Sequence, residues 1–382
     1  MNAAHIPLSL YIHIPWCVQK CPYCDFNSHA LKGNIPEAEY VDALVQDLRE
    51  DLAFFPSAKV RKLSSIFIGG GTPSLFQAKT IKNLLERINN EIDFSDNIEI
   101  TMEANPGSME AKRFEDFQQA GVTRLSIGVQ SFNNEQLVKL GRIHNSDEAI
   151  RAINFAKQAH LQSINIDLMH GLPNQTLAQA MSDLEQAIAL EPTHLSWYQL
   201  TIEPNTLYYS HPPRLPEDDD LWQIFDQGKK VLAQAGYVQY ETSGYSKVNF
   251  QCQHNLNYWR FGDYLGIGCG AHGKITQNNQ ITRTVKVKHP RGYLDSNYPF
   301  TSSRHTVAQN ELAFEFFMNR FRLIEPCPKK DFSARTGLTL ASISAPMNRV
   351  ISQDYVKESE HHWQVTEKGR LFLNDLLSEF LE

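Results

Sequence analysis

The sequence predicts an α/β fold in which six βα units form a six-stranded (β/α)6 partial barrel, followed by a smaller α+β region. Three observations lead there. Short apolar runs at residues 9–14, 64–68, 98–103, 123–128, 164–168 and 195–200 alternate with longer stretches of helical periodicity. Near-continuous apolar strands of this kind belong to a parallel sheet covered by helices. The count is six, and a closed (β/α)8 barrel needs two more units. Finally, the unusual residues fall at strand ends. A cysteine-bearing loop follows the first strand and a triple glycine the second; Glu103, Gln130, Asp167, Tyr198 and Gln199 end the others. In parallel α/β folds these carboxyl ends form one rim, and active sites sit there.

Taken in order, the first strand reads Ser-Leu-Tyr-Ile-His-Ile and stops at Pro15. Tyr40, Ala43, Leu44, Leu48 and Leu52 then recur at helical spacing. Strand 64–68 runs into Gly69-Gly70-Gly71-Thr72-Pro73, and Ile81, Leu84, Leu85 and Ile88 mark the next helix. Four more strands follow, with helical stretches between them. Beyond residue 203 the alternation stops. Pro212-Pro213-Arg214-Leu215-Pro216 and the acidic run 217–220 predict a turn-rich connector and a helix start. The helix at 221–235 closes on Gly236. Residues 237–273 are rich in aromatics and glycine. Residues 330–382 read as helix, helix, a short wing at 362–365, then a helix at 367–380, which resembles a winged helix. The expected divisions are 1–203, 204–309 and 310–382.

The bulk properties narrow the function. Hydrophobic residues make up 42% of the 382 and charged residues 21%, as in an ordinary globular protein. A net charge of −7 and the acidic, apolar tail at 378–382 argue against nucleic acid as a partner. Six cysteines, three of them clustered, suit a reducing compartment. The first residues lack a basic segment followed by an apolar one, and no apolar run reaches membrane-spanning length, so a cytoplasmic location is expected.

Cys17, Cys21 and Cys24 are spaced C-x3-C-x2-C. A [4Fe–4S] cube takes one thiolate per iron, so three cysteines leave one iron open to a small chelating ligand. Structural zinc, a disulfide framework and three unrelated thiols are the competing readings; zinc usually takes paired C-x2-C groups, and no second pair exists. The glycines at 69–71 let a ligand approach the backbone, and they lack the spacing of a phosphate loop or a dinucleotide fingerprint. Glu103 and Asp167 end apolar strands, where a carboxylate needs a partner. One reading is a helix cap or an ion pair with Arg124 or Arg142; the other is contact with ligand hydroxyl or ammonium groups.

These motifs together resemble the oxygen-independent coproporphyrinogen III oxidase family of radical S-adenosylmethionine (radical SAM) proteins. Tyr-Ile-His-Ile-Pro-Trp-Cys, Gly-Gly-Gly-Thr-Pro, Glu-Ala-Asn-Pro-Gly, Gly-Val-Gln-Ser-Phe and Asp-Leu-Met-His-Gly-Leu-Pro carry the likeness through the barrel. It implies a radical SAM partial barrel with a [4Fe–4S] cluster on Cys17, Cys21 and Cys24. It also implies S-adenosylmethionine contacts from Tyr11, Gly70 and Glu103. In the family's dehydrogenase the positions of Tyr23, Gly71, Thr72, Gln130, Arg142 and Asp167 surround a second molecule of it.

Two departures point to the heme-chaperone branch. Phe26 stands where the dehydrogenase has a further cysteine, and the chain before Cys17 is short. That branch also carries a motif like His254-Asn255-Leu256-Asn257-Tyr258-Trp259. The resemblance therefore implies heme as a cofactor, with His254 as iron ligand, and acceptor hemoproteins as partners. A membrane-surface acceptor and a homodimer are further expectations. Taken without the family, a histidine beside aromatics reads as a packing residue. Cys252, Cys269 and His272 are secondary ligand candidates, and Cys327 reads as a buried thiol. Arg283, Lys286, Lys288, His289 and Arg291 form a basic strip, read as solvated surface or as a site for heme propionates or an anionic membrane. The alternative activity is oxygen-independent oxidation of coproporphyrinogen III.

Overall fold

A computed structural model describes residues 5–108 and 111–381; residues 1–4 and Glu382, the end of the acidic tail, lie outside the described residues. The six expected strands are β1 Leu8–Ile14, β2 Leu63–Gly70, β3 Phe94–Ala104, β4 Arg124–Gln130, β5 Ser163–His170 and β6 His194–Gln199. They lie side by side in chain order and all run parallel. Helices α1 Glu37–Phe54, α2 Ala78–Glu91, α3 Ala111–Gln119, α4 Ser146–Gln158 and α5 Leu177–Ala189 make the crossovers that parallel pairing requires.

The strands are apolar on one face only, which corrects the expectation of continuous apolar runs. Leu8, Leu10, Ile12 and Ile14 of β1 join Ile66, Ile68, Leu125, Ile127, Ile166 and Leu195 in a core shared with the outer helices. The alternate positions point inward: Ser9, Tyr11 and His13 on β1, Arg124 and Ser126 on β4, Asn165 and Asp167 on β5. Buried polar groups need partners, and the lower interior supplies them. Ser65 Oγ donates to Ser9 Oγ at 2.8 Å, and His194 sits between Asn165 Oδ1 at 2.6 Å and Tyr240 Oη at 2.8 Å.

The sheet continues past both barrel edges. After helix α6 Asp218–Gln234, strands β7 Val238–Gln239 and β8 Gly244–Ser246 extend it beside β6. Helix α7 Gln253–Trp259 follows, and then β9 Asp263–Ile267 pairs parallel with the outer edge of β1. An antiparallel meander, β10 His272–Gln277, β11 Gln280–Lys286 and β12 Thr301–Thr306, completes a twelve-stranded sheet. Residues 204–309 thus cover the edges that the partial barrel leaves open, a common protection against edge pairing. Gly236 ends α6 with φ of +79°, where the left-handed backbone favours glycine.

The C-terminal region holds α8 Leu312–Arg320, β13 Cys327–Pro328, α9 Lys329–Thr336, α10 Ser344–Ser352, β14 Val356–Glu358 and β15 His362–Val365. Its three strands form a separate sheet in the order β13-β15-β14. The last expected helix is two, α11 Glu367–Leu371 and α12 Leu373–Ser378, because Phe372 leaves helical geometry. Phe316, Phe317, Phe332, Trp363 and Phe380 fill its core, and Cys327 is buried with them.

The basic strip is a surface only in part. Lys286 is fully buried, its Nζ 2.5 Å from Asp47 Oδ1 and 2.7 Å from Asp51 Oδ1. Tyr293 Oη donates to Asp47 Oδ2 at 2.7 Å. Arg283 is tied to Glu315 and Tyr264, which leaves Lys288, His289 and Arg291 facing solvent. The Lys286 cluster joins α1 to β11, so one cation holds two buried carboxylates. Burial raises the Asp47 pKa to about 6 even though Lys286 opposes the shift. Lys286→Met removes the cation and should destabilise the protein by about 3–5 kcal/mol. A thermal melt superimposing on that of wild type would contradict this.

Candidate functional site

The upper barrel opens into a cavity of about 610 Å³ whose lining includes all three clustered cysteines. The cysteine loop is built by short-range bonds. Trp16–Cys17 pairs with His29–Ala30, Cys24 N donates to Cys21 O at 3.2 Å, and Cys24 Sγ lies 3.6 Å from Ser28 Oγ. Asn27 fixes the loop from outside: its Nδ2 donates to Cys269 O and Lys288 O, both at 2.9 Å. Its carbonyl accepts from His13 Nε2 at 2.9 Å. His13 is held neutral by burial, with its pKa lowered to about 4, so Nδ1 is free to accept from Tyr11 Oη at 2.9 Å.

The glycine turn closes over the end of β1. Gly71 N donates to Ile14 O and Thr72 N to Trp16 O, both at 2.7 Å. A Cβ on Gly71 would stand 2.5 Å from Trp16 O, and one on Gly70, at φ +112°, 2.4 Å from the His13 ring. Both positions need glycine.

Glu103 Oε2 accepts from Gly70 N at 2.9 Å. Burial, and next the negative charge of Asp167, raise its pKa to about 8. Asp167 is better satisfied, accepting from Ser126 Oγ at 3.0 Å and Asn165 Nδ2 at 2.7 Å, although burial still raises its pKa. Among the described residues, neither carboxylate makes an ion pair or hydrogen bond with Arg124 or Arg142. Arg142 instead donates to Gly128 O at 2.6 Å and to Cys21 Sγ at 3.5 Å, and its Nε has no partner. Gln130 follows a register shift between β4 and β5 and has φ of +72°, a strained conformation that lets Tyr198 Oη donate to its Oε1 at 2.8 Å. Burial raises the thiol pKa of Cys17 and Cys24.

The cavity gathers Cys17, Cys21, Cys24, Tyr23, Gly70, Gly71, Thr72, Glu103, Gln130, Arg142 and Asp167. Two named residues stand apart from its wall. Tyr11 lies deeper, its ring stacked 6.3 Å from Phe67. His254 is 5% exposed, with Nδ1 3.3 Å from Ser65 Oγ, and burial lowers its pKa to about 3. Cys252 and Cys269 are buried as well, donating to Glu99 Oε1 and Lys288 O, with thiol pKa values pushed to about 12 by burial. His272 is exposed. The supports that sequence reading passed over are His13, Asn27, Ser126 and Asn165. The signal for three of them was the strict alternation of polar and apolar residues along β1, β4 and β5.

Residues 11–186 match the family model for the Radical SAM superfamily, and residues 307–372 the one for the HemN C-terminal domain. Proteins named heme chaperone HemW from Haemophilus influenzae and Escherichia coli are 59% and 57% identical, over 98% of this chain and 98% of theirs. The chain belongs to the HemW family. A Bacillus subtilis protein of the same name is 32% identical over 98% of this chain and 99% of its own. The solved structure of Escherichia coli coproporphyrinogen III oxidase (HemN), described as a radical SAM enzyme, superposes with a TM-score of 0.83. It is 23% identical and covers 98% of this chain and 90% of that one, which establishes the shared fold.

The radical SAM fold of the HemW family implies a [4Fe–4S] cluster and S-adenosylmethionine, and the rim fits both. Three thiols on one shaped loop line the cavity. Among the described residues Glu103 has only the Gly70 amide as a partner, and Arg142 Nε has none.

The raised Glu103 pKa gives a test of stability against pH. A carboxyl whose folded pKa exceeds its unfolded value adds stability that is complete below the unfolded pKa and lost as pH rises through the folded one. The cofactor-free protein therefore loses this contribution between the ordinary 4.5 and about 8. Glu103→Gln removes the loss, so its melting temperature should rise relative to wild type from about pH 5 to about pH 8.5. A constant difference between the two melts would contradict the assignment.

Proposed function

We propose that the chain binds heme and passes it to an acceptor hemoprotein, with a [4Fe–4S] cluster and S-adenosylmethionine at the barrel rim. The observation that carries this reading is identity of 57–59% over nearly the whole chain with proteins named heme chaperone. In it, Cys17, Cys21 and Cys24 ligate three irons. When bound, the cluster supplies an open iron for the methionine end of the sulfonium. Gly70 and Glu103 receive the ammonium group, whose charge would draw the Glu103 proton off. Arg142, donating to Cys21 Sγ, tunes the electron density of that thiolate. Tyr11 supports the arrangement from below through His13. Acceptor contact at a membrane surface, near Lys288, His289 and Arg291, and a homodimer belong to the same reading. Among the described residues no helix is long and apolar enough to cross a membrane.

A second reading is coproporphyrinogen III oxidation. It is favoured by one observation: Tyr23, Gly71, Thr72, Gln130, Arg142 and Asp167, the positions implied for a second S-adenosylmethionine, all line the one cavity. Against it stands Phe26, an exposed side chain on the lip where the dehydrogenase has cysteine.

Anaerobic reconstitution followed by parallel assays separates the two. The expected outcome is saturable heme binding without consumption of coproporphyrinogen III. Steady consumption would replace the chaperone reading with the dehydrogenase. His254 is part of the test. Its ring reaches heme iron only if α7 moves off β2, so a changed Soret spectrum in His254→Ala would mean that α7 opens on heme binding. An unchanged spectrum would place the iron ligand elsewhere.

A further inference from the structure

Arg124 opens β4 and lies on the cavity floor, a seven-residue strand below Gln130. It is 3% exposed, its Nε has no partner, and among the described residues no hydrogen bond or ion pair ends on its guanidinium. A buried guanidinium left without hydrogen bonds is costly. Two carboxylates, Glu99 and Asp167, offset its charge from a distance, but both are engaged elsewhere. Glu99 Oε1 takes Cys252 Sγ at 3.4 Å and His254 N at 3.2 Å, and Asp167 takes Ser126 and Asn165.

Toward the C-terminal region the same cavity is lined by Asn255 and Trp259 of α7 and by Arg322. Trp259 Nε1 is a buried donor without an acceptor. Arg322 stands over the indole ring at 5.0 Å and, among the described residues, makes no ion pair, although its charge acts on the buried carboxyl of Glu241. Among the described residues a buried guanidinium Nε and a buried indole N–H are therefore unsatisfied around one space, which the half-buried Arg322 and the buried Glu241 also line. Both unsatisfied groups are donors, so the missing group is an acceptor, and the positive charges select an anion.

The geometry points to a carboxylate site at the inner end of the cavity, formed by Arg124, Arg322 and the Trp259 N–H, that takes a propionate of the tetrapyrrole. The inference rests on the heme reading above and adds the part of the ligand that the chain recognises. Arg322 belongs to the C-terminal region and Arg124 to the barrel, so a propionate held there draws on both parts of the chain.

The test is a set of Soret titrations of reconstituted protein with heme and with heme dimethyl ester, in which both propionates are neutral. Wild type should bind heme about ten- to a hundredfold more tightly than the diester, the range for losing one charge-assisted interaction. Arg322→Gln and Arg124→Gln should each lose most of that preference while keeping the affinity for the diester and for S-adenosylmethionine. Arg322 is half-buried, so its variant carries the test if Arg124→Gln fails to fold, as judged by circular dichroism. Equal binding of the two ligands by wild type overturns the carboxylate site alone, as does a preference that survives both substitutions. A loss of S-adenosylmethionine affinity with the heme preference intact assigns the site to the other cofactor and also overturns it. Failure of wild type to bind either form of heme overturns the heme reading, and this inference with it.

Discussion

A barrel lined with polar side chains must satisfy each of them or leave room for something that does. That constraint organises this protein. Apolar side chains on the outer face of β1–β6 hold the helices, which leaves the alternate positions to Ser9, Tyr11, His13, Arg124, Asn165, Asp167 and their neighbours. In the lower interior several pair with one another, Ser9 with Ser65 and Asn257 and Asn165 with His194 and Ser126, while among the described residues Thr101 Oγ1 and Asn257 Oδ1 find no partner. Toward the cavity other groups stay open. Glu103 holds one backbone amide, and Arg142 and Arg124 each keep an unpartnered Nε.

Much of the rim was legible because it is written in local spacing. Three cysteines within eight residues, a glycine triplet after a strand and carboxylates at strand ends each keep their meaning whatever the distant chain does. What stayed hidden depends on long-range contacts. β9 lies beside β1 although some 250 residues separate them, and no periodicity announces the partner of an edge strand. His254 reads from its aromatic neighbours as a packing residue, but the partner that holds its ring inside, Ser65, lies far off in sequence. The basic strip divides at the end of a strand. β11 ends at Lys286, whose side chain turns inward to Asp47, while Lys288, His289 and Arg291 lie beyond the strand and face solvent.

Residues 204–309 therefore do more than join two regions. They cap the barrel base with α7, cover its open edges with β7–β12, and supply the carbonyls of Cys269 and Lys288 that hold Asn27. Through Asn27 the same segment reaches His13, whose ring supports Gly70 on one side and accepts from Tyr11 on the other. The cysteine loop and the glycine turn thus share one foundation, although they leave different strands.

The Asn27 tether bears on how such a centre is assembled. Many small metal sites take shape only when the ion arrives, so that binding and folding are a single event. Here the loop is fastened by protein bonds at His13, Cys269 and Lys288, none of which needs iron. Each protein bond that fixes the loop lowers the ordering entropy that cluster insertion has to overcome.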